Sequence, residues 1–191
     1  MHPTAIEVFA RYYRDVEAGA RGTIAEASIT PLDDLPQLEA FSATESERAE
    51  ALRRTAMIKL NGGLGTSMGL AGPKSALVVR DGLTFLDVIA RQALALRARY
   101  AVDLPVLFMD SFRTQADTLE VLAAYPDLAV DGLPLDFLQG AEPKLRADDL
   151  SPVEWPQDPE LEWCPPGHGD VYLALSTTGL LDRLREKGIR Y

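Results

Sequence analysis

The chain has 191 residues, 47% of them hydrophobic, with 29 acidic against 19 basic side chains, a formal charge of -10 and one cysteine, Cys164. These values suffice for one sizeable core, exclude an internal disulfide, and argue against a broad nucleic-acid surface, which needs clustered Lys and Arg. No apolar run approaches the roughly 20 residues of a membrane span, and Glu7, Asp15 and Glu17 stand where an export signal would be basic and then apolar. A reducing cytoplasm is the expected setting, with Cys164 an inert thiol.

In chain order, "TAIEVFARYYRDVEAG" places Ile6, Phe9, Tyr12, Tyr13 and Val16 at helical spacing, with Thr4 and Glu7 as a capping box; His2 is read as surface. Pro31 and Pro36 break residues 22–42 into a loop, and a second capping box, Thr44 to Glu47, opens a helix to about Arg54. From Ala56 strands alternate with helices. "AMIKL" and "SALVV" read as strands, Thr84 starts a helix carrying Leu86, Ile89, Ala93 and Leu96, "PVLFMD" is a strand, "TQADTLEVLAAY" a helix and "LPLDFLQ" a strand. After a proline-rich stretch from Ser151 to Pro166, "DVYLALSTTGLLDRLREKG" is helical with a break at Ser176 to Gly179 and Gly188 at its C-cap, and "IRY" begins a further strand. This alternation predicts an α/β fold, a largely parallel sheet covered on both faces, with residues 1–54 a helical N-terminal extension and 55–191 the first, incomplete part of the main domain. Phe85, Phe108 and Phe137 are expected in the core, Met68 in loop packing, and Trp155 and Trp163 in the proline-rich stretch, bracing it or meeting a partner.

The stretch between "AMIKL" and "SALVV" holds five of the 14 glycines between Gly62 and Gly72. It misses the dinucleotide fingerprint, since Met68 stands where the third glycine belongs. It also misses a phosphate-binding Walker loop, because Pro73, lacking an N–H, separates Gly72 from Lys74. What it retains is backbone free of Cβ atoms at Gly62, Gly63 and Gly65, able to approach a flat base or a phosphate, and a lysine delivered on a stiff Gly-Pro step.

"KLNGGLGTSMGLAGPKS", followed by "LTFLDVIARQ", resembles the signature of the UTP-glucose-1-phosphate uridylyltransferases (UDP-glucose pyrophosphorylases) of the eukaryotic-type UDP-sugar pyrophosphorylase family. "MDSFRTQADTLEVL", "DFLQGAEPKL" and "PPGHGDVYLAL" match that family in order and spacing, so the resemblance covers about Ala56 to Tyr191, the first 50 residues being only loosely similar. One departure is Leu70 and Ala71, where many eukaryotic members have Cys-Lys; it points to a bacterial branch.

The resemblance implies a Rossmann-like nucleotidyltransferase sheet flanked by helices and a reaction joining UTP and glucose 1-phosphate into UDP-glucose and pyrophosphate, with magnesium (Mg2+). By the same carry-over, Leu60, Asn61, Gly62 and Gly63 line the nucleotide, and Lys74 is catalytic and contacts the UTP phosphates. Gln139 reads uracil, Gly167 makes a backbone contact to the nucleotide, and His168 meets the sugar phosphate. An amide at Gln139 suits uracil, having one acceptor and two donors for its N3–H and carbonyls. Asp170 is read first as a helix N-cap. The family's metal-binding aspartate, main sugar contacts, second catalytic lysine and C-terminal β-domain are expected beyond Tyr191, so this chain reads as an N-terminal part, binding uridine nucleotide weakly and inactive alone. Two alternatives stay open: the same chemistry on galactose or N-acetylhexosamine 1-phosphate, and a short nucleotide-binding partner without catalysis. No nucleic-acid or membrane partner is expected, and the oligomeric state is left open.

Overall fold

The computed structural model describes residues 2–65, 68–69 and 72–191; the Leu70–Ala71 departure lies outside them. α1 (Pro3–Glu17) starts two residues earlier than its sequence pattern suggests. Proline at the first helical position costs no hydrogen bond, and His2 becomes the N-cap, its Nδ1 accepting the Thr4 amide at 3.2 Å. The expected Thr4 cap is therefore corrected: Thr4 is already helical, and His2, though exposed, has a structural task. α2 (Glu45–Arg53) begins as read, Thr44 and Glu47 forming a reciprocal capping box. Residues 18–44 between them are exposed throughout.

β1 (Met57–Leu60) feeds the glycine loop. On the return leg "SALVV" is a strand only at its end and outside the parallel sheet: Lys74–Ala76 is a 3-10 turn, and the exposed Val78 and Val79 belong to a small antiparallel hairpin of β2 (Val78–Arg80) and β3 (Leu83–Thr84). Asp81 and Gly82, at φ of 50° and 75°, supply the two positive-φ residues that a two-residue hairpin loop favours. α3 (Phe85–Tyr100) starts at Thr84 as expected, with Asp87 completing a capping box. Phe85, expected in the core, is 46% exposed, because the inward stripe of this helix is set by Leu86, Ala90 and Ala93.

β4 (Val106–Asp110), α4 (Gln115–Leu122) and β5 (Asp136–Leu138) follow. The three longer strands form one parallel sheet in the order β1-β4-β5, with Met57 opposite Val106 and Phe108 opposite Asp136. β4 is buried on both faces, which is why its apolar run is continuous rather than alternating. On one face Val106 and Phe108 pack with Leu86, Ala90, Ala93, Leu122 and Leu128. On the other, Leu107, Met109 and Phe137 pack with Ala174, Leu180, Leu184 and Ile189. Each large side chain buried in this way contributes about 1.5–3 kcal/mol.

The proline-rich stretch is drawn back by a two-residue ladder of β6 (Glu142–Pro143) with β7 (Trp163–Cys164), and the Trp155 amide donates to Glu162 at 2.7 Å; both tryptophans stay partly exposed. α5 (Val171–Thr177) and α6 (Leu180–Glu186) are separated at the expected break, with Gly179 at φ 71°, and Gly188 takes φ 80° after the last turn. Beyond it, the Arg190 and Tyr191 amides donate to the Arg54 carbonyl at 2.7 and 3.0 Å, and Ala56 N–H to Tyr191 O at 2.8 Å. The chain end is thus held beside the residues that lead into β1, but residues 189–191 form no assigned strand, so the expected strand at "IRY" is corrected to a short extended segment tied at these three bonds.

Candidate functional site

Parallel strands end at one edge of their sheet. β1 therefore delivers Leu60 and Asn61, β4 Asp110 and β5 Gln139 to the same side, the carboxyl ends of the strands, outside which ligands sit in open α/β sheets. The backbones are joined there: Asn61 N–H donates to Met109 O and Gln139 N–H to Asp110 O, both at 2.8 Å.

Leu60 is half exposed at the strand end, while Asn61 is only 7% exposed and its amide is committed inside the protein. Its Nδ2 donates to Asp110 Oδ1 at 2.7 Å and to Thr118 Oγ1 at 2.8 Å, and its Oδ1 accepts the Ser75 hydroxyl. Asp110 is 0% exposed. Its Oδ1 also accepts from Thr118 at 3.1 Å and Thr114 at 3.4 Å, whereas Oδ2 has no partner among the described residues. Burial pushes this carboxyl up to about 6, against the pull of the Asn61 and Thr118 hydrogen bonds and with a further push from Asp136. Neither Asp110 nor Ser75 was singled out from sequence. The available signal was an acid closing an apolar strand, at the end where α/β sheets place their ligands.

Gly62 lies flat on the Gln139 side chain. A Cβ there would fall 2.8 Å from Gln139 Cδ and closer still to Nε2, so the bare backbone lets the amide, 9% exposed, take its position. Gly63 and Lys74 also meet, since the Lys74 amide donates to Gly63 O at 3.1 Å, and Leu64 bridges Pro73 while Gly65 N–H donates to Gly72 O at 3.0 Å. The glycine loop is thus a narrow arm with both legs tied together at its base. Lys74 leaves that base exposed to solvent.

Gly167 and His168 approach from the other flank. Gly167 is at φ 109° and His168 opens a 3-10 turn ending at Asp170; both are exposed. Asp170 occupies the N-cap position of α5 but caps nothing with its side chain: it is buried, and its Oδ2 accepts the Gly140 amide. That bond fastens the turn holding His168 to the residue after Gln139. A cavity of about 330 Å³ opens beside Gln139, Gly140 and Asp170 and is closed in part by His2 and Ala5 of α1.

Among the described residues the site contains no paired nucleophile and base. It offers backbone approach, a cation, an amide and a histidine on separate legs, an arrangement suited to holding a polyanion and a flat ring rather than to covalent catalysis. A three-layer α/β chain with such a crevice at its strand ends is of the nucleotide-binding class. The sequence profile of the family described as UTP–glucose-1-phosphate uridylyltransferase matches residues 6–191, and the chain belongs to that family. The UTP–glucose-1-phosphate uridylyltransferase of Solanum tuberosum is 40% identical over 170 residues, which is 88% of this chain and 35% of that protein; that of Encephalitozoon cuniculi is 34% identical over 191 residues, 100% and 37%. Among solved structures, the crystal structure of UDP-glucose phosphorylase from Trypanosoma brucei superposes with a TM-score of 0.89 at 42% identity, covering 99% of this chain and 40% of its own. A mutant UDP-glucose pyrophosphorylase from Leishmania major in complex with UDP-glucose gives 0.87 at 38%, covering 98% and 39%. The chain thus spans little more than a third of the length of these relatives. No helix among the described residues is long and apolar enough to cross a membrane.

Proposed function

We propose that this chain carries the uridine-nucleotide half of a uridylyltransferase that forms UDP-glucose and pyrophosphate from UTP and glucose 1-phosphate, with residues 1–54 a helical extension and 55–191 part of the nucleotidyltransferase domain. The observation that carries this reading is the seat of Gln139 against Gly62: a base-reading amide and a glycine backbone brought face to face at the ends of β5 and β1, with Lys74 rooted on the next glycine. The relatives' names supply the substrates.

In the reaction, an oxygen of the sugar phosphate attacks the α-phosphorus of UTP as the bond to the pyrophosphate oxygen breaks, in line and without a protein nucleophile. Lys74 offsets charge on the phosphates, more in the transition state than before it. The Gln139 amide answers the uracil N3–H and carbonyls, Leu60, Asn61, Gly62 and Gly63 shape the floor, Gly167 offers its backbone to the nucleotide, and His168 faces the sugar phosphate. Magnesium is part of the expectation, yet no group of three His, Cys, Asp or Glu among the described residues could hold a metal ion. Of the carboxylates around the site, Asp170 binds Gly140, Asp136 binds Gln115 and Asp110 is sealed, while the exposed Asp117 lies against Gly72. No step is therefore routed through the ion.

The test is Lys74→Ala in the natural full-length protein, with UDP-glucose formation followed from UTP and glucose 1-phosphate. Turnover falls about 10²–10³-fold while the KM for glucose 1-phosphate moves little. An unaltered kcat reduces Lys74 to a ground-state anchor, and a wild-type protein that ignores glucose 1-phosphate but uses another sugar phosphate overturns the choice of substrate.

A further inference from the structure

Asn61 ends β1 at the root of the glycine arm, and its amide could face either way from its position alone. Its surroundings decide. An acceptor-only carboxylate at Asp110 Oδ1, 2.7 Å away, and the Thr118 oxygen at 2.8 Å require the NH2 end to point inward, using both of its protons. The carbonyl end is thereby turned outward, where it accepts the Ser75 hydroxyl. Ser75 is the residue after Lys74, in the same 3-10 turn. One buried acid thus sets the polarity of a relay, Asp110 to Asn61 to Ser75, that ends beside the lysine.

We propose that Asp110 is a positioning residue of the nucleotide site: by anchoring the inward end of the Asn61 amide, whose other end meets the Ser75 hydroxyl, it holds the Lys74 turn in register for the nucleotide's phosphates. The proposal rests on the reading of the site as a uridine-nucleotide site. Three observations support it independently of that reading. Asp110 is wholly buried and so acts through neighbours rather than on a ligand. Its backbone carbonyl accepts the Gln139 amide at 2.8 Å, so the residue beneath the lysine side of the crevice also carries the Gln139 side. Finally, Thr114 and Thr118 keep donors on Oδ1 alone, the oxygen that Asn61 uses. A carboxylate is suited to the task because it has no donor of its own when ionised and cannot tolerate the inverted amide, whose carbonyl would oppose it.

The experiment is calorimetric titration with UTP of the natural full-length protein and of its Asp110→Val, Asp110→Asn, Ser75→Ala and Asp110→Val/Ser75→Ala variants. Asp110→Val, which keeps a strand-forming side chain but no acceptor, weakens UTP tenfold or more. Asp110→Asn, whose carbonyl still accepts from Asn61, restores affinity to within about twofold of wild type. Ser75→Ala weakens UTP several-fold on the wild-type background and less than twofold on the Asp110→Val background, because the link is already broken. Additive losses in the double variant, or an Asp110→Asn protein as weak as Asp110→Val, overturn the proposal. Should Asp110→Val not fold, Ser75→Ala decides alone: its hydroxyl is only part-buried, and an unchanged Kd there means the relay positions nothing. A wild-type protein that does not bind UTP sinks the nucleotide reading itself, a result distinct from any pattern among the variants.

Discussion

Replacing Asp110 by asparagine removes one titration from the protein while keeping its shape, and the effect on stability can be worked out from its surroundings. Burial first, then the Asp136 charge, raise the Asp110 carboxyl from 3.8 to about 6, although hydrogen bonds from Asn61, Thr118 and Thr114 oppose the rise. Between those two values the folded protein holds a proton that the unfolded chain has released, so stability falls as pH rises through that window, by about 3 kcal/mol in all. About 2 kcal/mol of this falls between roughly pH 4.5 and 7.5, where Asn at the same position contributes no slope. The new amide places N–H groups where Oδ2 had no partner, at a cost of about 1–3 kcal/mol, but that cost is the same at every pH. Glu47 and Asp87 are held below the usual carboxylate range by the Thr44 and Thr84 caps and bend the curve the other way, equally in both proteins. The informative quantity is therefore the difference between the two curves. Urea unfolding of the natural full-length wild-type and Asp110→Asn proteins across this range shows the wild type losing about 2 kcal/mol relative to the variant as pH rises. Parallel curves would falsify the assignment of a displaced pKa to Asp110.

Gly62→Ala drives a methyl into the Gln139 amide, so UTP affinity falls about tenfold or more by calorimetry, with discrimination of UTP from CTP falling too; retained discrimination would separate base reading from Gln139. Gly63→Ala behaves differently: the nearest atom to its Cβ is Lys74 Cδ at 3.9 Å and its φ is not positive, so the melting temperature of the unliganded protein is unchanged while the UTP-induced rise is lost. A lowered melting temperature with that rise intact would count against close approach of the nucleotide. Asp170→Ala leaves the part-buried Gly140 amide unpaired, lowering stability by about 1 kcal/mol in urea unfolding, and Asp170→Asn recovers most of it; equal losses in both variants would show that charge, not the hydrogen bond, holds the turn.

The sheet was legible because its signals are local. "PVLFMD" is too apolar and too short for anything but a buried strand, and Thr84 announces its helix with an oxygen three residues before Asp87. "SALVV" misled because a β-branched run says that a strand forms, not which sheet it joins; the Asp81–Gly82 pair that decides the matter lies just after it. His2 reads as surface because it stands near the chain end, whereas its imidazole nitrogen acts as the cap once Pro3 fixes where the helix begins. At the site, Gly62, Gly63 and Lys74 stand out by residue type and Gln139 only by the family resemblance of the residues around it. Asp110, Ser75 and Thr118 do not, since their roles exist only when positions 49 and 57 apart in sequence from Asn61 are folded against it.

Along the gene, the acid, amide and hydroxyl that make up the buried knot under the glycine arm are scattered, but inheritance must treat them as one character. A single change at Asn61 or Thr118 takes one of its donors from the carboxylate of Asp110, and a change at Asp110 to a side chain without an acceptor leaves the amide free to turn. Each first step crosses a state with an unmatched group in a sealed space, and only a second step restores the match. Drift at these positions is thus slow and paired, and a descendant that abandons the acid carries its mark in the partners that changed with it.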